Sequence, residues 1–338
     1  ISYRIHTGFR KKGGVNMSIY VVTAICLTLL CVFRQKRWPL FVSLALLLVV
    51  GGLRDVTVGT DTKHYAMFFE LYGADVKLMY HADEPLYKLL QFVTASCGWG
   101  YVTMQFLTEC IILSVLFFYT VKTSRNPHYS ILCYFLLYFF FYSFNTVRQY
   151  LAIPFALVSF YYLQQRKWRN YLICLVIACL FHYSAIICVI AFLIDKYKFS
   201  KNMLYFFLIF TFVVGLTPYV LAMVRSLAFQ SMFYETYTMG NVSYRESLFS
   251  FSRLLLTIYA ICLVYILKEK ETDVSLFVVG VCLLNLFAYY PVIGRLAQYF
   301  TIVQITIIPN IPMLLEKKGS SSLISVISFV YIFVTWRS

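Results

Sequence analysis

Residues 170–194 read NYLICLVIACLFHYSAIICVIAFLI, an apolar run with one histidine at its middle. The path of this run decides the direction of every helix after it. As one crossing helix it would put Lys196, Lys198, Lys201, Lys268, Lys270, Lys317 and Lys318 on the side opposite the earlier basic loops. As a hairpin that enters and returns, it puts all of them on the same side. Each half, 170–181 and 183–194, is roughly 18 Å of helix, too short for a hydrocarbon core of about 30 Å. The spacing therefore predicts a re-entrant helical hairpin with His182 at its turn, open to the outer side. Irregular backbone at that depth must be buried in protein or face a wet cavity.

The surrounding composition supports a membrane setting. Of 338 residues, 61% are apolar, 19% aromatic and only 13% charged, with a mean hydropathy of +0.76. Soluble chains carry about 25% charged residues, so a soluble domain is excluded, as are disordered, collagen-like and disulfide-rich chains. Runs near the length of a span occur at 18–33, 38–53, 101–121, 128–146, 149–163, 203–223, 249–267, 274–290, 296–314 and 321–336. The expected fold is all-α, a polytopic membrane helix bundle of about ten spans plus the hairpin. Residues 1–16, basic and polar, are set outside it, and 17–338 form a single transmembrane domain. The net charge of +15 is spread over short clusters between apolar runs, which is how orientation signals look; no nucleic acid is expected as a partner. Arg34, Lys36 and Arg37, then Lys122 and Arg125, then Arg166, Lys167 and Arg169 mark the inner side. Ten cysteines are present, nine of them within apolar runs, with no CxxC and no zinc spacing. They read as small apolar residues, and no metal or other cofactor is expected.

The outer side then holds two long segments, 54–100 and 224–248, and function concentrates in long loops on a rigid scaffold. Within the first, Pro85 opens an amphipathic pattern of Leu86, Leu89, Leu90 and Val93 that fits a helix on the membrane surface. Four clusters carry the candidate chemistry. In Gly51–Tyr65, Thr60 or Asp61 can cap the next helix; alternatively Arg54 contacts an anion and Asp61 binds hydroxyls or acts as a base. In Ser143–Tyr150, Arg148 is the one charge of a long apolar stretch; it either snorkels at a turn or binds an anionic head group. His182 is either a satisfied core histidine or an outward-facing one. In Tyr289–Phe300, Pro291 and Gly294 break the chain before Arg295 and Tyr299, four apart on one helix face; these read as an interfacial anchor or an anion site. Arg54, Arg148, His182 and Arg295 all fall on the outer side. Three guanidinium groups and an imidazole there fit a polyanion such as a lipid-linked diphosphate.

These pieces, in order, resemble the EpsG family of polysaccharide polymerases, relatives of the Wzy type. They are Gly52-Leu53-Arg54 to Gly59-Thr60-Asp61-Thr62 with Tyr65, Glu84-Pro85-Leu86-Tyr87-Lys88-Leu89-Leu90, Val147-Arg148-Gln149 with Ala152, Phe181-His182-Tyr183-Ser184-Ala185, and Gly294-Arg295 with Tyr299. The resemblance covers roughly 17–336. It implies a GT-C-like glycosyltransferase of the bacterial cytoplasmic (inner) membrane. Such an enzyme polymerises undecaprenyl-diphosphate-linked oligosaccharide units into exopolysaccharide, capsule or O-antigen on the outer face. Its partners would be that lipid-linked oligosaccharide, membrane lipids, and the flippase and chain-length regulator of the same pathway. The expected catalytic residues are Asp61, Arg148, His182 and Arg295. The expected substrate-binding residues are Arg54, Thr60, Tyr65, Glu84, Gln149 and Tyr299. Asp61 is the leading base, followed by His182 and Glu84. A transporter or flippase of the lipid-linked glycan shares the basic cavity and is the alternative; a membrane acyltransferase would need a catalytic histidine facing an acyl donor.

Overall fold

The computed structural model of the chain describes residues 17–33, 35–75, 77, 84–217, 219–220, 250–267, 271–287 and 294–314. The expected span 321–336, segment 224–248, residues 1–16, and Lys268, Lys270, Lys317 and Lys318 lie outside the described residues. Every regular element among the described residues is a helix.

Helices α1 (Met17–Val32) and α2 (Trp38–Gly52) take the first two apolar runs. The segment 54–100 contains α3 (Thr62–Tyr72) and α4 (Pro85–Ser96). Helix α5 (Tyr101–Thr123) is the one described helix both long and apolar enough to cross a membrane, and six shorter apolar helices accompany it. The run 128–146, expected as one span, is instead two helices, α6 (Pro127–Leu136) and α7 (Phe139–Asn145). Tyr138 between them takes a left-handed φ of 67°. This break lets Phe135, Phe140, Phe141 and Phe144 pack ring against ring. A second break at Thr146 starts α8 (Val147–Gln164), which is buried on nearly every side. Between Gln149 and Gln164 its sequence is apolar nearly all round, as a central helix requires.

The deciding run breaks at its histidine. Helix α9 (Trp168–Phe181) ends at His182, which is extended with φ −156° and ψ 114°. A 3-10 helix (Tyr183–Val189) and α10 (Ile190–Tyr197) follow. Arg166 Nη1 then lies 2.7 Å from Asp195 Oδ2, so the chain returns to where it left. Helices α11 (Lys201–Gly215), α12 (Phe251–Ile266) and α13 (Thr272–Phe287) pack together beside it. The run 296–314 is also broken, into a 3-10 turn (Arg295–Ala297), α14 (Gln298–Thr301) and α15 (Gln304–Leu314).

Contacts sort the connections into two ends. At one end His128 Nε2 meets Lys36 O, Asn310 bonds Thr123 O and Arg125 N, and Gln164 bonds Asp273. Lys198 bonds both Asp195 and Thr272 there. At the other end lie Arg54, Glu84, Arg148, His182 and Arg295.

The described surface is strongly apolar. Ile25, Phe41, Leu172, Val176, Phe206 and Ile209 are each more than half exposed, whereas Gln91, Gln105, Thr108, Glu109 and Gln149 are buried. Water favours the reverse pattern, and this one fits a helical membrane protein. Helix α4 follows the same rule: Leu89 and Val93 face out while Tyr87, Gln91 and Thr94 face the protein.

Candidate functional site

Glu84 is the hub. It precedes Pro85, which disfavours helical backbone there, and its φ of −135° and ψ of 72° lie outside the helical region. Pro85 then opens α4 at a position where a missing N–H costs nothing. This geometry sends a buried carboxylate inward. Its Oε2 accepts from Arg148 Nη1 at 2.5 Å, and its Oε1 bonds His182 Nδ1. Arg148 is the second residue of α8 and His182 the tip of the hairpin, so one carboxylate joins three separate elements. The Arg148 side chain is 45% exposed and the His182 ring 20%, against 4% for Glu84. The anion is thus inside and its two partners reach outward.

The Arg148 charge also acts on the Tyr65 phenol of α3. Asp61, at the N-cap position of α3, acts on Tyr65 electrostatically. Asp61 makes no side-chain cap bond, contrary to the capping reading; its Oδ1 accepts from the Thr60 hydroxyl at 3.1 Å instead. Thr60 is held by its backbone N–H, which donates to Asn145 Oδ1 at 2.7 Å. Gly59 permits this turn with a φ of 99°. Gln149 Nε2 donates to Arg295 O at 2.7 Å, tying the Gly294-Arg295 turn to the start of α8. Arg295 itself is exposed. Tyr299, four residues on, is fully buried, with its hydroxyl 3.1 Å from Ser184 Oγ on the hairpin. The 3-10 turn between them has about three residues per turn rather than 3.6, so the two do not share a face as expected.

Arg54 stands apart. Its guanidinium is buried, 3.1 Å from Glu109 Oε1 and 4.2 Å above the Phe144 ring. Gln105 holds the carbonyls of Gly52 and Arg54 beside it. This is an internal anchor for the start of the 54–61 loop. Asp55 bonds the Thr57 hydroxyl and N–H, which keep its carboxyl below the usual aspartate range.

Burial works against the charge on Glu84, but the His182 bond and the Arg148 charge outweigh it and hold the carboxyl below the usual glutamate range. Lys88, one turn along α4, is a further cation near this group; burial and the like charge of Arg148 push it below the usual lysine range. Lys88, Asn145 and Ser184 sit inside the quoted sequence clusters, yet nothing in their spacing marked them. Among the described residues no three His, Cys, Asp or Glu side chains gather as a metal site would need.

The chemistry at hand is a carboxylate-oriented imidazole beside a guanidinium, at one end of a helical bundle whose apolar side chains face outward. The class is therefore a helical protein of the membrane type with a charged centre at its helix breaks. The chain belongs to the EpsG family, whose model matches residues 36–337. No curated protein and no solved structure matches it.

Proposed function

We propose that this chain is a membrane glycosyltransferase that joins oligosaccharide units carried on undecaprenyl diphosphate into exopolysaccharide, capsule or O-antigen. The reaction runs on the outer face of the bacterial cytoplasmic membrane, within a GT-C-like multi-pass bundle whose segment 170–194 is re-entrant. Family membership supports the class of reaction. The observation that carries the chemistry is Glu84 holding both His182 and Arg148.

An ionised Glu84 only accepts hydrogen bonds. The neutral form of His182 therefore carries its proton on Nδ1 and presents a lone pair at Nε2. That nitrogen takes the proton from the acceptor hydroxyl as its oxygen attacks the anomeric carbon of the growing glycan. The bond from that carbon to the diphosphate oxygen breaks, and its electron pair leaves with the lipid diphosphate. Arg148 and Arg295 stabilise this developing charge more in the transition state than in the ground state. Asp61, Thr60 and Tyr65 bind sugar hydroxyls, and Gln149 and Tyr299 keep the turn and hairpin in place. The order of candidate bases thus becomes His182 before Asp61, since His182 is the one a carboxylate orients.

The test is lipid-linked glycan analysis of cells carrying Arg148→Ala, Arg295→Ala or His182→Ala, with membrane insertion verified. Loss of long polymer while single lipid-linked units accumulate is the expected result. Wild-type chain length in all three variants would overturn the reading.

A further inference from the structure

Lys88 has no role in the scheme above, yet its position on α4 is specific. It lies one turn after Glu84, and its backbone N–H donates to Glu84 O at 3.1 Å. Residues four apart share a helix face, so Lys88 projects from the same edge as the carboxylate that holds Arg148. The wheel of α4 then has three sectors. Tyr87, Gln91 and Thr94 are buried, Leu89 and Val93 are exposed, and Lys88 with Phe92 is half-buried at the seam between them.

Resting on the reading of the chain as a lipid-diphosphate enzyme, we propose that Lys88 and Arg148 together form the diphosphate subsite, with the carrier's apolar tail lying along the exposed Leu89 and Val93 stripe. Three observations converge on it. Lys88 and Arg148 both feel the charge of the one Glu84 carboxylate, which makes two cations to one anion there. Their mutual repulsion, added to the burial of Lys88, is relieved when an anion bridges them. The apolar stripe begins at the residue after Lys88, so an amphiphile with a charged head and an apolar tail meets both parts on one helix. A free diphosphate would use only the first, and an anionic phospholipid would find one phosphate for two cations.

The test uses the full chain in nanodiscs, with farnesyl diphosphate, inorganic pyrophosphate and phosphatidylglycerol as probes. Lys88→Ala is expected to weaken farnesyl diphosphate binding at least tenfold, with Lys88→Arg close to wild type. The pair Leu89→Ser and Val93→Ser is expected to weaken farnesyl diphosphate and leave pyrophosphate unchanged. Undiminished farnesyl diphosphate binding by Lys88→Ala overturns the subsite. Equal affinity for pyrophosphate and farnesyl diphosphate overturns the tail stripe, and displacement by phosphatidylglycerol at equal concentration overturns the choice of ligand. Polymer formation by the wild type, from lipid-linked units added to the same nanodiscs, is a separate readout. Its absence counts against the polymerase reading, while the binding results still decide the subsite.

Discussion

Arg166 and Asp195, 29 residues apart, are joined at 2.7 Å, and this contact closes the hairpin that carries His182. Asp195 is buried, while Arg166 remains 56% exposed and Lys198, its second partner, 35%. The Thr272 hydroxyl donates to the same carboxylate, so α10 and α13 are fastened together there. Asp195→Ala removes the shared acceptor and is expected to cost about 1–3 kcal/mol. Arg166→Ala is expected to cost less, about 0–1 kcal/mol, because an exposed cation is screened by solvent. Thermal unfolding in detergent gives the order; equal losses for the two variants would show that the carboxylate is not the fastener.

The link between Glu84 and His182 predicts a different pattern. His182→Ala is expected to lower the polymerisation rate by about 10²–10⁴, the usual worth of a positioned base, with little change in melting temperature. Glu84→Gln keeps the shape but gives the imidazole no anion to fix its tautomer, so most of that loss is expected to follow. A rate within twofold of wild type for Glu84→Gln would remove Glu84 from the mechanism.

The depressed Glu84 carboxyl sets a pH window. An acid whose pKa is lower folded than unfolded adds stability that is complete above the unfolded value and is lost as pH falls through the folded one. For Glu84 that loss lies below the ordinary glutamate value of about 4.3. The wild type is therefore expected to lose stability relative to Glu84→Gln as pH falls from about 4.3 downward. Parallel melting curves over that range would contradict the ion pair.

The sequence marked the helix break at His182, because a polar residue there interrupts an otherwise apolar run. It did not reveal the break at Tyr138, where Phe135–Tyr142 holds no Gly, Pro or charged residue to mark a turn. The basic loops led to the expectation that Arg54, Arg148, His182 and Arg295 share one side. They did not reveal the partners: Glu84 meets His182 across 98 residues and Arg54 meets Glu109 across 55, separations at which spacing carries no information. Glu84 was among the expected substrate-binding residues through the family resemblance, but its place at the centre emerged only from the packing of α4, α8 and α9.

Arg54 and Arg148, alike in sequence, are expected to fail in different ways. Arg54 and Glu109 are 3% and 1% exposed, so Arg54→Ala strands a buried carboxylate at an expected cost of about 3–5 kcal/mol. Arg148→Ala leaves Glu84 its His182 bond and an opening to solvent, so the fold should hold while polymerisation falls. The double variant Arg54→Met with Glu109→Leu removes both buried charges and is expected to recover most of the lost stability. It should recover activity too, because neither group faces the site. Restored melting temperature without restored polymer would instead give Arg54 a part in the chemistry.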